Sequence, residues 1–173
     1  FKETAESPEA RRRRRAIRPG EMRTLYRTAG AYPLRSRLHG GGGRPRKDGT
    51  PARPRSKPAN LSPETTAALA LLGRERQLIY RTMLITGLRR GEMSRVTVAM
   101  LDGKRPVLKL PGAILKNGRP ADIRLPEPLA ADLRVLVADL GRQKGDRLLA
   151  VPNKDNFRRL HKAHLKLAGI PYQ

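Results

Sequence analysis

One stretch constrains the chain more than any other. An apolar run, Leu78-Ile79-Tyr80-Arg81-Thr82-Met83-Leu84-Ile85, stops at Thr86-Gly87 and restarts as Leu88-Arg89-Arg90-Gly91-Glu92. The run has the length and composition of a buried helix. Gly87 can take the left-handed conformation that ends such a helix. An arginine held on the elbow between two helices is well placed to grip a phosphate through two parallel hydrogen bonds. Glu92 follows Arg89 by three residues, lies on the same face and can hold the guanidinium in place. A basic elbow with no special function would carry the same local pattern.

The flanking segments read as helices around a small sheet. Arg18-Pro19-Gly20-Glu21-Met22-Arg23-Thr24-Leu25-Tyr26 predicts a short helix with Met22, Leu25 and Tyr26 on one face. Arg18 is a weak start, because Ser, Thr, Asp or Asn is preferred there. Ser62-Pro63-Glu64 opens a helix well, and Gly73 is read as its end. Beyond Glu92 come Val96, Val98, Val107, Leu108, Leu110, Ile114, Ile123 and Leu125. They sit in short segments punctuated by Asp102-Gly103, Pro111-Gly112 and Asn117-Gly118, which predicts a small antiparallel meander. Leu129, Leu133, Leu136, Val137 and Leu140 keep helical spacing up to Gly141. A last helix is expected from Lys154 to Leu167, with Phe157, Leu160, His164 and Leu167 inward and Arg158, Arg159, Lys162 and Lys166 mostly outward. The expected fold class is therefore mainly α with a small antiparallel β-meander.

Charge bears on function more than composition does. The 173 residues carry a net +23, with +12 in residues 1–60 and +11 in the remainder, so the folded part is basic as well as the tails. Such a charge predicts a polyanionic partner, most simply nucleic acid. Residues 1–17 end in Arg11-Arg12-Arg13-Arg14-Arg15, read as a disordered arm lying on DNA or as a solvated tail. Residues 39–60, rich in Gly, Pro, Arg and Lys, read as a flexible insertion between helices. Cysteine is absent, which excludes a disulfide framework and cysteine-ligated zinc. His161 and His164 are three apart, but with no third ligand nearby a packed or solvated pair is the better reading, and no metal or cofactor is expected. No run is apolar enough to span a bilayer, no signal peptide is visible, and no membrane partner is expected. The sequence opens on Phe1 rather than Met, which reads as a fragment or a trimmed chain.

Three segments together resemble a known family. Thr86-Gly87-Leu88-Arg89-Arg90-Gly91-Glu92, with its apolar lead-in, resembles the first arginine box of the tyrosine recombinases, the phage integrase family. Leu115-Lys116-Asn117-Gly118-Arg119-Pro120, followed by Ile123-Arg124-Leu125-Pro126, is similar to that family's lysine hairpin. Phe157-Arg158-Arg159-Leu160 and Ala168-Gly169-Ile170-Pro171 are similar to the helix and loop before its second box. The likeness covers roughly residues 18–173 and implies a recombinase-like catalytic domain. The family usually has Val-Pro-Leu where this chain has Ile123-Arg124-Leu125, so the charge on that strand is unusual.

The resemblance implies DNA breakage and rejoining on double-stranded DNA, through a 3′-phosphotyrosyl intermediate and without metal or nucleotide cofactor. The physical tasks are stabilising charge on a pentacoordinate phosphorane and supplying a proton to the leaving oxygen. Arg89 then matches the phosphate-clamping arginine, Glu92 its supporting acid and Lys116 the general acid. Arg90, Arg119, Arg158 and Arg159 are assigned to DNA contact. Lys116 by itself would read as an ordinary exposed turn lysine. The resemblance further implies a bacterial cytoplasmic, nucleoid-associated protein and, in the intact family, recombinase protomers on DNA. The second box, His-x-x-Arg, and the nucleophilic tyrosine follow the Gly-Ile-Pro loop in the family, and this sequence ends at Gln173. The expectation is a C-terminally truncated catalytic domain, inactive as it stands, with Tyr172 in the wrong place to be the nucleophile. The competing expectation is a non-enzymatic basic nucleic-acid-binding protein, favoured by the two Arg/Gly/Pro-rich stretches.

Overall fold

The computed structural model describes residues 17–39 and 60–171. The Arg11–Arg15 block, nearly all of the Gly/Pro/Arg-rich insertion and Tyr172 lie outside the described residues, so the expectations placed on them do too. Among the described residues, five α-helices run α1 (Pro19–His39), α2 (Pro63–Thr86), α3 (Arg90–Met93), α4 (Glu127–Asp139) and α5 (Lys154–Leu167). Between α3 and α4 two strands, β1 (Val107–Leu110) and β2 (Ala121–Arg124), pair antiparallel, with Leu108 opposite Ile123. The chain is thus mainly helical with one small antiparallel sheet.

The expected meander is reduced to a single hairpin. Val98–Met100 forms a 3-10 turn instead of a strand, and Leu101 meets Leu108 only through an isolated bridge. Asn117-Gly118 is a turn within the 111–120 connection, not a two-residue hairpin tip. There Gly118 (φ 68°) donates its N–H to the Leu115 carbonyl at 3.1 Å.

Two helices are longer than local signals suggest, and packing explains both. In α1, Leu25, Ala29 and Pro33 are buried at four-residue spacing, so the helix continues through Pro33 as far as His39. Its start lacks a capping hydroxyl, but Glu21 reaches back to the Arg18 N–H at 2.9 Å. In α2, Ser62 caps the Thr65 N–H as expected, yet Gly73 does not end the helix. Gly73 is where α1 crosses: a Cβ there would lie 1.9 Å from the Gly30 carbonyl oxygen. The missing side chain lets the two backbones touch. The helix ends at Gly87, in the left-handed conformation (φ 68°), with its N–H on the Met83 carbonyl.

The main core joins α2, α3, the hairpin and α4 through Leu78, Ile79, Met93, Val96, Leu108, Leu110, Leu129, Leu133 and Leu136, all buried. A second cluster, Leu25, Leu165 and Ile170, fixes α5 against α1. Leu165, not Leu167, supplies the inner face of α5; Leu167 is exposed because its position turns away from α1. Glu75 of α2 is buried and hydrogen-bonded through Oε1. It accepts from Arg142 Nη2 at 2.6 Å and from the Ala150 N–H at 2.7 Å, tying α2 to the segment after α4.

The two histidines of α5 are packing residues. His164 is buried, with Nδ1 3.0 Å from the Tyr80 hydroxyl and the Tyr32 ring edge-on at 4.7 Å. His161 stacks on Phe157. Among the described residues, no group of three His, Cys, Asp or Glu could hold a metal. Burial, together with the charges of Arg76 and His161, pushes the His164 pKa down from 6.5 to about 4. Between those values the unfolded chain binds a proton that the folded chain refuses, so stability is full above about pH 6.5 and falls as the pH drops toward 4. At 1.36 kcal/mol per unit, His164 costs the fold about 3 kcal/mol by pH 4.5. Urea unfolding at pH 7 and 4.5 should show this extra acid sensitivity in the parent and its loss in His164→Gln.

Candidate functional site

The elbow between α2 and α3 and the 111–120 connection meet at one carboxylate. Glu92 is buried, with its backbone in α3. Its Oε2 accepts the Arg89 N–H at 2.8 Å, and its Oε1 accepts the Lys116 N–H at 2.9 Å. Arg89 Nη1 lies 3.5 Å from the same Oε1. Lys116 is thereby fixed to a carboxylate 24 positions earlier in the chain. The two backbone N–H groups, first that of Arg89 and then that of Lys116, hold the Glu92 carboxyl below its ordinary value of 4.5, with the Arg89 charge adding to them. Glu92 therefore stabilises the junction above the ordinary carboxylate range and stops doing so as the pH falls through its lowered pKa.

The local sequence accounts for the geometry. Gly87 turns the chain out of α2, and Arg89 takes the N-cap position of α3 with an extended backbone. An arginine offers no acceptor for a capping bond, so Glu92 at the third helical position supplies the cap from inside the helix. On the other side, Arg95 clamps the connection by donating from Nη2 to the Ile114 carbonyl at 2.5 Å and from Nη1 to the Ala113 carbonyl at 3.2 Å. Gly112 lets the connection close on itself, since a Cβ there would lie 2.1 Å from the Gly118 carbonyl oxygen. Sequence reasoning missed both residues. Gly112 was visible only as turn punctuation, and nothing in the sequence pairs Arg95 with carbonyls about twenty residues away.

The charged ends of the site face solvent. The Arg89 side chain is 64% exposed, and Lys116 is exposed on its loop. Two exposed cations therefore flank a buried anion whose two oxygens each accept a backbone N–H, and whose Oε1 also lies near the Arg89 guanidinium. Two cations against one anion leave a net positive surface able to receive an oxyanion. Arg90 is placed differently: it is half-buried and donates from Nη1 to the Pro152 carbonyl at 3.3 Å, bracing α3 against the segment before α5. Arg119 is exposed near Lys116 in the same connection, its N–H turned to the Asn117 side chain at 3.2 Å. Arg158 and Arg159 are exposed on α5, and Arg159 reaches Asn156 at 3.3 Å. The structure thus joins Arg89, Glu92 and the Lys116 backbone, with Arg119 three residues further along the same connection, while Arg158 and Arg159 belong to a separate element.

No protein-family model matches the chain, and comparisons with curated proteins and with solved structures return no match. The likeness to tyrosine recombinases therefore rests on its three sequence segments alone. Among the described residues, no helix is long and apolar enough to cross a membrane.

The junction makes a direct prediction. Glu92→Ala leaves two partly buried N–H groups without their acceptor and should cost about 1–3 kcal/mol. Glu92→Gln keeps one amide oxygen as acceptor and should cost less. Thermal unfolding at pH 7 checks the order, and equal stability of parent and Glu92→Ala would contradict it.

Proposed function

We propose that this chain binds double-stranded DNA and holds a backbone phosphate between Arg89 and Lys116, as the front part of a tyrosine-recombinase catalytic domain. The single observation that carries the reading is the Glu92 carboxylate, which joins the two segments that resemble the family's first box and its lysine hairpin. Arg89 would clamp the non-bridging oxygens of the phosphate. Lys116 would stand by the leaving oxygen as proton donor, and Glu92 would hold both segments in place. The 173 residues contain no His-x-x-Arg, so strand cleavage of this type needs groups besides those described. The net charge of +23 alone would equally suit a non-enzymatic nucleic-acid-binding protein.

The experiment compares a labelled duplex with the same duplex carrying uncharged methylphosphonate linkages. The reading expects tight binding of the first and loss of most affinity for the second, because phosphate contacts dominate such binding. Equal affinity for the two would overturn it. Specific phosphate holding is separated from plain charge attraction by Arg89→Ala, which removes one of many positive charges yet should weaken binding more than Lys144→Ala on the 142–147 turn.

A further inference from the structure

A second basic feature lies away from the Arg89–Lys116 site. α1 and α2 enclose an open groove of about 610 Å³, lined by Arg23, Tyr26 and Arg27 from α1 and by Arg74, Gln77 and Arg81 from α2. The spacings are helical: Arg23 and Arg27 stand one turn apart, and Arg74, Gln77 and Arg81 follow at three and four residues, so each set shares one face. Gly30, which meets Gly73 at the α1–α2 crossing, is among the residues that line the groove.

The charges are only half balanced. Arg74 pairs with Asp139 at 2.6 Å and Arg81 with Asp132 at 2.5 Å, both acids coming from α4. Those pairs position the α2 arginines, which stay partly exposed. Arg23 and Arg27 are exposed on the opposite wall. Four guanidinium groups with two carboxylates leave a net charge of about +2 at a concave surface, where a low-dielectric wall strengthens the field. A core-packing role does not explain Arg23 and Arg27, because neither is buried.

We propose that this groove takes a stretch of nucleic-acid sugar–phosphate backbone, at a place separate from the Arg89–Lys116 site. The inference rests on the DNA binding proposed above. Arginine suits the task because its planar fork binds a phosphate through two parallel hydrogen bonds. Arg23 and Arg27 lie about 6 Å apart along the α1 axis, enough to engage two successive phosphates rather than one. Tyr26, between them in sequence, offers an aromatic face on the same wall.

The test measures duplex affinity against salt for the full chain by fluorescence anisotropy. Arg23→Gln/Arg27→Gln leaves the Arg74 and Arg81 ion pairs intact and should lower the slope of log affinity against log salt by about 1.8, close to 0.9 for each phosphate no longer neutralised. Arg23→Lys/Arg27→Lys keeps the charge and should retain most of the slope. Thermal melting confirms that both variants stay folded, as exposed positions should allow. An unchanged slope in the folded Gln variant would overturn the groove while leaving DNA binding standing. A salt-independent parent would overturn DNA binding itself, and the groove with it. Loss of inorganic polyphosphate binding with DNA affinity intact would make the groove a site for free polyanions and would also overturn the proposal.

Discussion

Gly73→Leu should unfold the α1 half of the molecule, and even Gly73→Ala should destabilise it. In an exposed helix interior, Gly→Ala stabilises by about 1 kcal/mol, because alanine is the better helix former. Here the sign reverses. The added Cβ would lie 1.9 Å from the Gly30 oxygen and 3.0 Å from the Gly30 carbonyl carbon, both backbone atoms of a helix that cannot bend away locally. The helices must separate, and α1 packs chiefly on α2. Separation would also loosen Leu25 from Leu165 and Ile170. Overpacking of ordinary core positions costs about 1–3 kcal/mol, and a clash of two backbones belongs at or above the top of that range. Gly20→Ala is the control, since its Cβ would meet nothing within 4 Å. Melting followed by circular dichroism should show Gly20→Ala near the parent, Gly73→Ala well below it and Gly73→Leu without a cooperative transition. A Gly73→Ala protein that melts above the parent would mean that the two helices do not cross there.

The same glycine shows where the sequence could and could not be read. Gly73 and Gly87 both follow apolar helical runs, and local rules read both as stops. Only Gly87 is one. The difference lies in Gly30, 43 residues earlier, whose backbone occupies the space that a side chain at 73 would need. Pro33 is a similar case, tolerated inside α1 because the buried face at Leu25, Ala29 and Pro33 outweighs the lost hydrogen bond. α4, with its buried Leu129, Leu133 and Leu136, was legible because its three-and-four spacing is a property of the helix alone. Val98 was read as strand from composition, but its segment pairs too briefly with β1 to be more than a 3-10 turn and a bridge.

At the site, the residue types were legible and their meeting was not. Arg89 and Glu92 are three apart, so their contact follows from helix geometry. Lys116 reaches Glu92 only because Gly112 lets the 111–120 connection fold over and Arg95 pins its carbonyls. Arg90 shows the reverse: its neighbour Arg89 faces solvent, but one step further round the elbow puts Arg90 on the Pro152 carbonyl.

DNA affinity should collapse with salt, and two residues should account for a measurable share of the effect. A protein that neutralises six to ten phosphates loses roughly 10³–10⁵ in affinity between 50 and 200 mM salt, because each contact releases condensed counterions. With a charge of +23 spread through both halves of the chain, the proposed DNA binding should fall in that range. Within that total, Glu92 fixes the backbones of Arg89 and Lys116 to one carboxylate, so both side chains start from a common frame when phosphate arrives. Cations on unconnected surface segments lack such a frame and should contribute less each.

The most direct test is a salt titration of duplex binding by the parent and by Arg89→Ala/Lys116→Ala, from about 50 to 200 mM. Phosphate holding at the elbow predicts a steep linear fall for the parent, a slope lower by about 0.9 for the double variant, which no longer neutralises that one phosphate, and weaker binding by that variant at every salt concentration. A parent affinity that does not change with salt, or a double variant that follows the parent line, would contradict it.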